Sequence, residues 1–272
     1  MISSWLDPYR DGKSVVHRAD PRVKLVVVLA LLIIISLTPA AFWPAYVAYL
    51  GTLMLLIALA RLKPVDVIKR SALALPFALM AVAGVLAVRE GYPLVTVPLL
   101  RWQIIITDVG LYRFLTVLAR AWLSLLLVAT LIMTTHFTEL VVAMRGIGIP
   151  RVLTAIIGLM YRYIYVLIDE AQRMMRARDA RSAEVDAAQA GGSLRWRAQV
   201  TGHMVGTLFL RTYERSERIY QAMLARGYAG EIRMLRPPVV SRRDLAAGAL
   251  LIAFWALIAL VAHTDPPYGM MP

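Results

Sequence analysis

The sequence predicts an all-α integral membrane protein of about five transmembrane helices, with a cytoplasmic three-helix domain that contains two long helices. Three observations predict it. First, 60% of the 272 residues are hydrophobic and the mean hydropathy is +0.65, whereas soluble domains hold about 45 to 50% apolar residues. Second, the apolar residues gather in runs of 15 to 21, the length that crosses a bilayer as a helix. Third, the basic residues concentrate outside those runs: 17 Arg and no Lys lie between Thr134 and Asp244, against ten acidic residues. The absence of Cys excludes disulfides, thiolate metal sites and cysteine nucleophiles.

The spans are Val23 to Leu37, Ala40 to Ala60, Ala72 to Val88, Phe114 to Met133 and Leu245 to Ala262. The first is short, and Lys24 at its edge is expected to snorkel to the interface. Its return through Pro39 suggests a helical hairpin. Residues 1 to 22 carry both charge signs and no small-residue cleavage pattern, so no cleaved signal is expected. Arg10, Lys13, Arg18 and Arg22 precede the first span, none separates the first two, and Arg61, Lys63, Lys69 and Arg70 precede the third. Basic loops stay in the cytoplasm, which puts the N-terminus inside and the tail from His263 outside. The loop 89 to 113 is then external, with room for a short strand or re-entrant piece.

Three regions follow: 1–133 with four spans, 134–244 as cytoplasmic helices, and 245–272 as a final span and external tail. Within the second, a short helix covers about Thr138 to Arg145, with Thr138 as its cap, and stops at Gly146-Ile-Gly-Ile-Pro150. A long helix runs from Arg151 to about Arg181. Its apolar part, Val152 to Ile168, has nearly the length of a sixth span. Crossing there would export 14 Arg residues, so it is read as cytoplasmic or interfacial. Gly191-Gly192-Ser193 opens the third helix, in which Val205, Leu208, Phe209, Thr212, Ser216, Ile219, Tyr220 and Met223 recur at helical steps. It ends at Gly227, as a C-terminal glycine dictates.

Both long helices finish in an Ala-Arg-small triplet: Ala180-Arg181-Ser182 and Ala225-Arg226-Gly227. Small flanking residues permit close approach, and the guanidinium offers a planar five-donor fork to a carboxylate or backbone carbonyls. An ordinary helix C-terminus is the competing account, since Arg suits the dipole and Gly the cap.

Those triplets, the segment His17-Arg-Ala-Asp-Pro-Arg-Val-Lys24, the stretch Arg162-Tyr-Ile-Tyr-Val-Leu-Ile-Asp-Glu-Ala171 and the stretch Tyr213-Glu-Arg-Ser-Glu-Arg218 carry a resemblance. Across roughly residues 15 to 260 the chain resembles the T component of energy-coupling factor transporters, of the CbiQ type associated with cobalt uptake. The resemblance implies a membrane scaffold whose two helix tips dock in grooves of two ATP-binding cassette ATPase subunits. Another surface holds a substrate-binding membrane subunit, with a small accessory membrane subunit as a further partner. Ala180, Arg181, Ser182, Ala225, Arg226 and Gly227 take the docking role; Ser182 stands where the family usually has Gly. It further implies that ATP and magnesium are bound by the partners, and that this chain transmits their movement.

The residues agree with a non-enzymatic membrane subunit, which the resemblance places in the cell inner membrane. No Gly-x-x-x-x-Gly-Lys-Ser/Thr loop occurs. His17, His136, His203 and His263 are isolated, so no metal site is assigned in this chain; Met270-Met271 could touch a soft metal. Asp169 and Glu170 point to different faces and are expected in salt bridges with Arg173 or with Arg of the third helix. Arg120 lies inside the fourth span and is a candidate intramembrane contact with a partner, snorkelling being the alternative. The basic region has interspersed acids and an apolar face, which fits a protein partner and not nucleic acid. Nickel in place of cobalt remains open, as do a self-sufficient secondary transporter or channel and a passive membrane anchor.

Overall fold

The computed structural model describes residues 9–12, 14–40, 42–82, 93–99, 102–181, 193–230 and 240–264. In chain order these form α1 (Val15–Arg18), α2 (Pro21–Leu37), α3 (Trp43–Leu59), α4 (Pro64–Val82), β1 (Pro93–Leu99), β2 (Trp102–Thr107), α5 (Asp108–Thr134), α6 (Phe137–Gly146), α7 (Arg151–Arg181), α8 (Leu194–Ala225) and α9 (Arg242–Thr264). The protein is a helical integral membrane protein. Asp108–Thr134, Arg151–Arg181 and Arg242–Thr264 are each long and apolar enough to cross a bilayer, by length and composition; Trp43–Leu59 is a shorter apolar helix. The one departure from helix among the described residues is an antiparallel hairpin in the expected external loop, pairing Val95 with Ile106 and Leu99 with Trp102.

The chain divides into two compact units, one of Met1–Ile147 with Pro238–Pro272 and the other of Gly148–Pro237. The boundary at 147 puts α6 with the membrane helices, where it packs on α2; the sequence had grouped it with α7 and α8.

Helix ends in the first unit follow local chemistry. Asp20 caps α2 by accepting the Arg22 amide at 2.8 Å, and Pro21 occupies the first helical position, where its missing N–H costs nothing. Thr107 caps α5 by accepting the Gly110 amide at 3.1 Å. The residue expected to cap α6, Thr138, lies inside it: the helix begins one residue earlier, after His136, with no side-chain cap. Helix α4 starts at Pro64, well before the apolar run, with Pro at its first position and Asp66 in its first turn, both of which favour a helix start.

The core of this unit joins Leu31 and Ile35 of α2, Tyr46, Tyr49, Leu53 and Ile57 of α3, Leu123 and Leu126 of α5, and Trp255 of α9. The turn after Thr38 is tight, but the expected helical hairpin does not pack as a pair. Helix α2 lies chiefly against α9, α6 and α5. Its contact with α9 is close because residue 248 is glycine; a Cβ there would stand 2.8 Å from Val27 Cγ2 and 2.9 Å from Val23 Cγ1. The outward faces stay apolar, Leu73, Phe77 and Met80 of α4 and Leu250 of α9 being more than 70% exposed, as lipid contact requires. Hydroxyls of Thr38, Thr52, Thr116, Thr130 and Thr134 each donate to the carbonyl four residues back. Apolar surroundings thus hold few unpaired hydroxyls.

Candidate functional site

The second unit is built from α7 and α8. Helix α7 is continuous for 31 residues and α8 for 32, starting at Ser193, whose hydroxyl accepts the Trp196 amide at 3.2 Å. The two helices are tied by Arg211 Nη1 donating to Glu170 Oε1 at 2.8 Å. This is the inter-helix salt bridge expected of the Asp169-Glu170 pair, which leaves Glu170 in a structural role.

The apolar face expected on α8 splits in two. Leu208, Thr212, Ile219 and Met223 are half-buried, whereas Val205, Phe209, Ser216 and Tyr220 are exposed. No residue of α8 is fully buried. Large side chains such as Phe209, Leu210 and Tyr213, each over 60% exposed, give this helix more apolar surface than a solvated helix carries.

The C-terminus of α8 is set by the second triplet. Ala225 is the last helical residue and Arg226 the C-cap. Gly227 takes φ +80°, the left-handed conformation that costs a residue with a Cβ. Its amide donates to the Leu224 carbonyl at 2.9 Å, and the Tyr228 amide donates to the Met223 carbonyl at 3.0 Å. This double bond pattern is a Schellman cap. It closes orphan carbonyls and turns the chain sharply just past Arg226. Arg226 is exposed at the negative end of a 32-residue helix.

Arg181 is the last residue of α7 and is exposed, with Ala180 beside it; Ser182 falls outside the described residues. Arg178, one turn's width back, is occupied by Asp179 at 2.7 Å. Arg181 and Arg226 are both exposed and make no ion pair among the described residues.

Arg120 has intrachain partners. Its Nε donates to Tyr46 Oη at 2.8 Å and its Nη2 donates to the Thr38 carbonyl. The Tyr46 hydroxyl donates in turn to the carbonyls of Thr38 and Pro39, each at 3.2 Å, and Tyr49 reaches the Trp255 carbonyl at 3.3 Å while its ring stacks on Trp255 at 4.3 Å. The guanidinium therefore neutralises the C-terminal end of α2, and the polar chain links α2, α3, α5 and α9.

Sequence reasoning missed the centre of the opposite side. Lys24 is 9% exposed and does not snorkel. Its ammonium donates to the carbonyls of His17 and Thr134, both at 3.1 Å, and to Thr135 Oγ1 at 3.4 Å. Partners 110 residues away leave no local signal; the only hint was a lysine on the apolar side of a capped helix start. Two of the four histidines also meet around one ring, Tyr9 lying 3.4 Å from His136 and 6.1 Å from His17 between centroids. Among the described residues no three metal-ligating side chains converge. Met270-Met271 lies outside those residues.

A membrane unit of packed helices and a second unit of two long helices ending in exposed arginines make this a helical membrane protein of two units. The CbiQ family, described as cobalt transport protein, matches residues 12–236. The chain belongs to this family, as a T component of the energy-coupling factor type. Among curated relatives, the energy-coupling factor transporter transmembrane protein EcfT of Acidaminococcus fermentans is 27% identical over 96% of this chain and 97% of its own length. The uncharacterized protein MJ1571 of Methanocaldococcus jannaschii is 31% identical over 58% of this chain and 52% of its own. The putative ABC transporter ATP-binding protein BL0043 of Bifidobacterium longum is 30% identical over 91% of this chain. The chain spans about half of the former and about a third of the latter, 52% and 32%.

Proposed function

We propose that this chain is the energy-coupling membrane subunit of an ATP-driven metal importer in the cell inner membrane, with its N-terminus cytoplasmic and its C-terminus outside. The tips Ala180-Arg181-Ser182 and Ala225-Arg226-Gly227 each enter a groove of one of two ATP-binding cassette subunits, which bind ATP and magnesium and hydrolyse the nucleotide. Closure of those subunits moves the tips, and α7 and α8 carry the movement to a substrate-binding membrane subunit. The observation that carries this reading is the Schellman cap that leaves Arg226 exposed at the end of α8. The relatives' names support the same division of labour: one is an energy-coupling transmembrane protein and another is an ATP-binding protein.

Cobalt is the proposed cargo, on the family's description. Uptake of radiolabelled cobalt(II) and nickel(II) by cells carrying the complete complex tests both levels. The reading expects cobalt uptake that is lost in Arg181→Glu and in Arg226→Glu. Preferential nickel uptake would move the cargo, and normal uptake by both variants would refute the docking role.

A further inference from the structure

The chain leaves the membrane unit after Ile147 and returns to it at Pro238. Helix α6 ends one residue before the first boundary, and α9 starts shortly after the second. Both of these roots, together with the end of α5, are held by one five-residue segment, Asp20 to Lys24. The Asp20 amide donates to Asp244 Oδ2, in the first turn of α9, at 3.0 Å. The stem of Arg22 crosses the last residue of α6, where a Cβ on Gly146 would lie 2.9 Å from Arg22 Cδ and 3.1 Å from Cγ. Lys24 fixes the end of α5 through the Thr134 carbonyl and the Thr135 hydroxyl.

The chemistry of Lys24 is that of a fixed joint. All three donors of an ammonium are used. One acceptor, the Thr134 carbonyl, belongs to the last turn of a helix, which has no intrahelical donor for it and carries the negative end of the dipole. The carboxylates of Glu139 in α6, Asp20 at the cap of α2 and Asp244 in α9 act electrostatically on the same ammonium. Burial acts against the charge more strongly than these acids favour it, and acids from three separate elements thus face one buried cation. A lysine so near a helix start could reach water by its own stem, and its burial instead commits that charge to joining helices.

We propose that Asp20 to Lys24 is a clamp that positions the roots of the coupling unit, with Lys24 as its central positioning residue. This rests on the energy-coupling reading: movement of α7 and α8 arrives at α6 and α9, and the clamp passes it to α2. Loss of the clamp leaves the ATPases bound and hydrolysing while the membrane helices no longer follow.

The chain has no native Cys, so spin labels on cysteines introduced at Val26 of α2 and Leu79 of α4, both exposed, report that movement in the purified complex with its ATPases. The proposal predicts an ATP-dependent change in the label distance with native Lys24, lost in Lys24→Met and in Asp244→Ala, while the resting distance, ATPase stoichiometry and hydrolysis persist. A merely structural role would alter yield and resting distance and leave the ATP response of assembled complex in place. An ATP response of full size in both variants overturns the clamp, as does the lack of any response in the unsubstituted complex with ATPases bound. Asp244→Ala carries the test alone if Lys24→Met does not accumulate. A native chain that binds no ATPase overturns the coupling reading, and the clamp with it.

Discussion

Arg120 Nε donates to the hydroxyl of Tyr46 at 2.8 Å, and that hydroxyl is passed on to the carbonyls that end α2. A charge inside an apolar span is thereby matched to the negative end of a neighbouring helix. Its place in the fold is structural as well as polar, since the chain of bonds joins α3 and α5 to the turn after α2.

Arg120→Leu is therefore expected to lower stability in detergent by about 1.5 to 3 kcal/mol, the range for hydrogen bonds to charged groups. Tyr46→Phe should cost about 1 kcal/mol. In a double-mutant cycle the two should couple by about 0.6 to 1.7 kcal/mol, as polar pairs in membrane helices do. Additive losses would show that Arg120 acts elsewhere.

Two residues with positive φ predict opposite signs. Gly227 sits at φ +80° and Arg61, in the same kind of cap after α3, at φ 54°; Leu62 and Arg61 amides close that cap onto Ile57 and Ala58. Gly227→Ala should destabilise α8 by roughly 1 kcal/mol, and Arg61→Gly should stabilise by a similar amount. Thermal unfolding of each variant reads the sign directly.

His17 carries a pH dependence. Its ring contacts Ser14 Oγ at 2.7 Å and the Arg10 carbonyl at 3.1 Å. Burial holds its pKa below the ordinary 6.5; the Arg10 carbonyl pulls it up, the Lys24 charge down and Asp11 up by smaller amounts. The unfolded chain consequently binds a proton before the folded one does. Stability from this group is complete above the ordinary value and falls as pH drops below it. Unfolding midpoints measured from about pH 8 to about pH 5 should decline, and His17→Gln should flatten the curve.

Gly248→Leu should separate α2 from α9, because even a Cβ at this position would meet two valine methyls under 3 Å away. A loss of about 1 to 3 kcal/mol is expected from such overpacking. A neutral effect on the unfolding midpoint would mean that the two helices are free to part.

The sequence made the second unit legible for a local reason: Pro150, Ser193 and Gly227 are punctuation that acts within a turn of its own position. Helices α7 and α8 accordingly have nearly the bounds that spacing predicts. The split of the α8 face into half-buried and exposed stripes was not legible, because it depends on how α7 lies against it. Lys24 and Arg120 were visible only as charges in apolar runs. Their partners, Thr134 and Tyr46, are brought in by helix packing across 110 and 74 residues, and no periodicity encodes that. Thr138 failed as a cap because helix α6 begins a residue too early for its hydroxyl to serve.

Detergent copurification of the tagged chain with ATP-binding cassette subunits, comparing the native chain with the Arg181→Glu/Arg226→Glu double variant, tests the central claim most directly. The account predicts stoichiometric ATPase with the native chain and its loss from a double variant that is still folded. ATPase retained by the variant, or a native chain that carries none and transports metal alone, would contradict it.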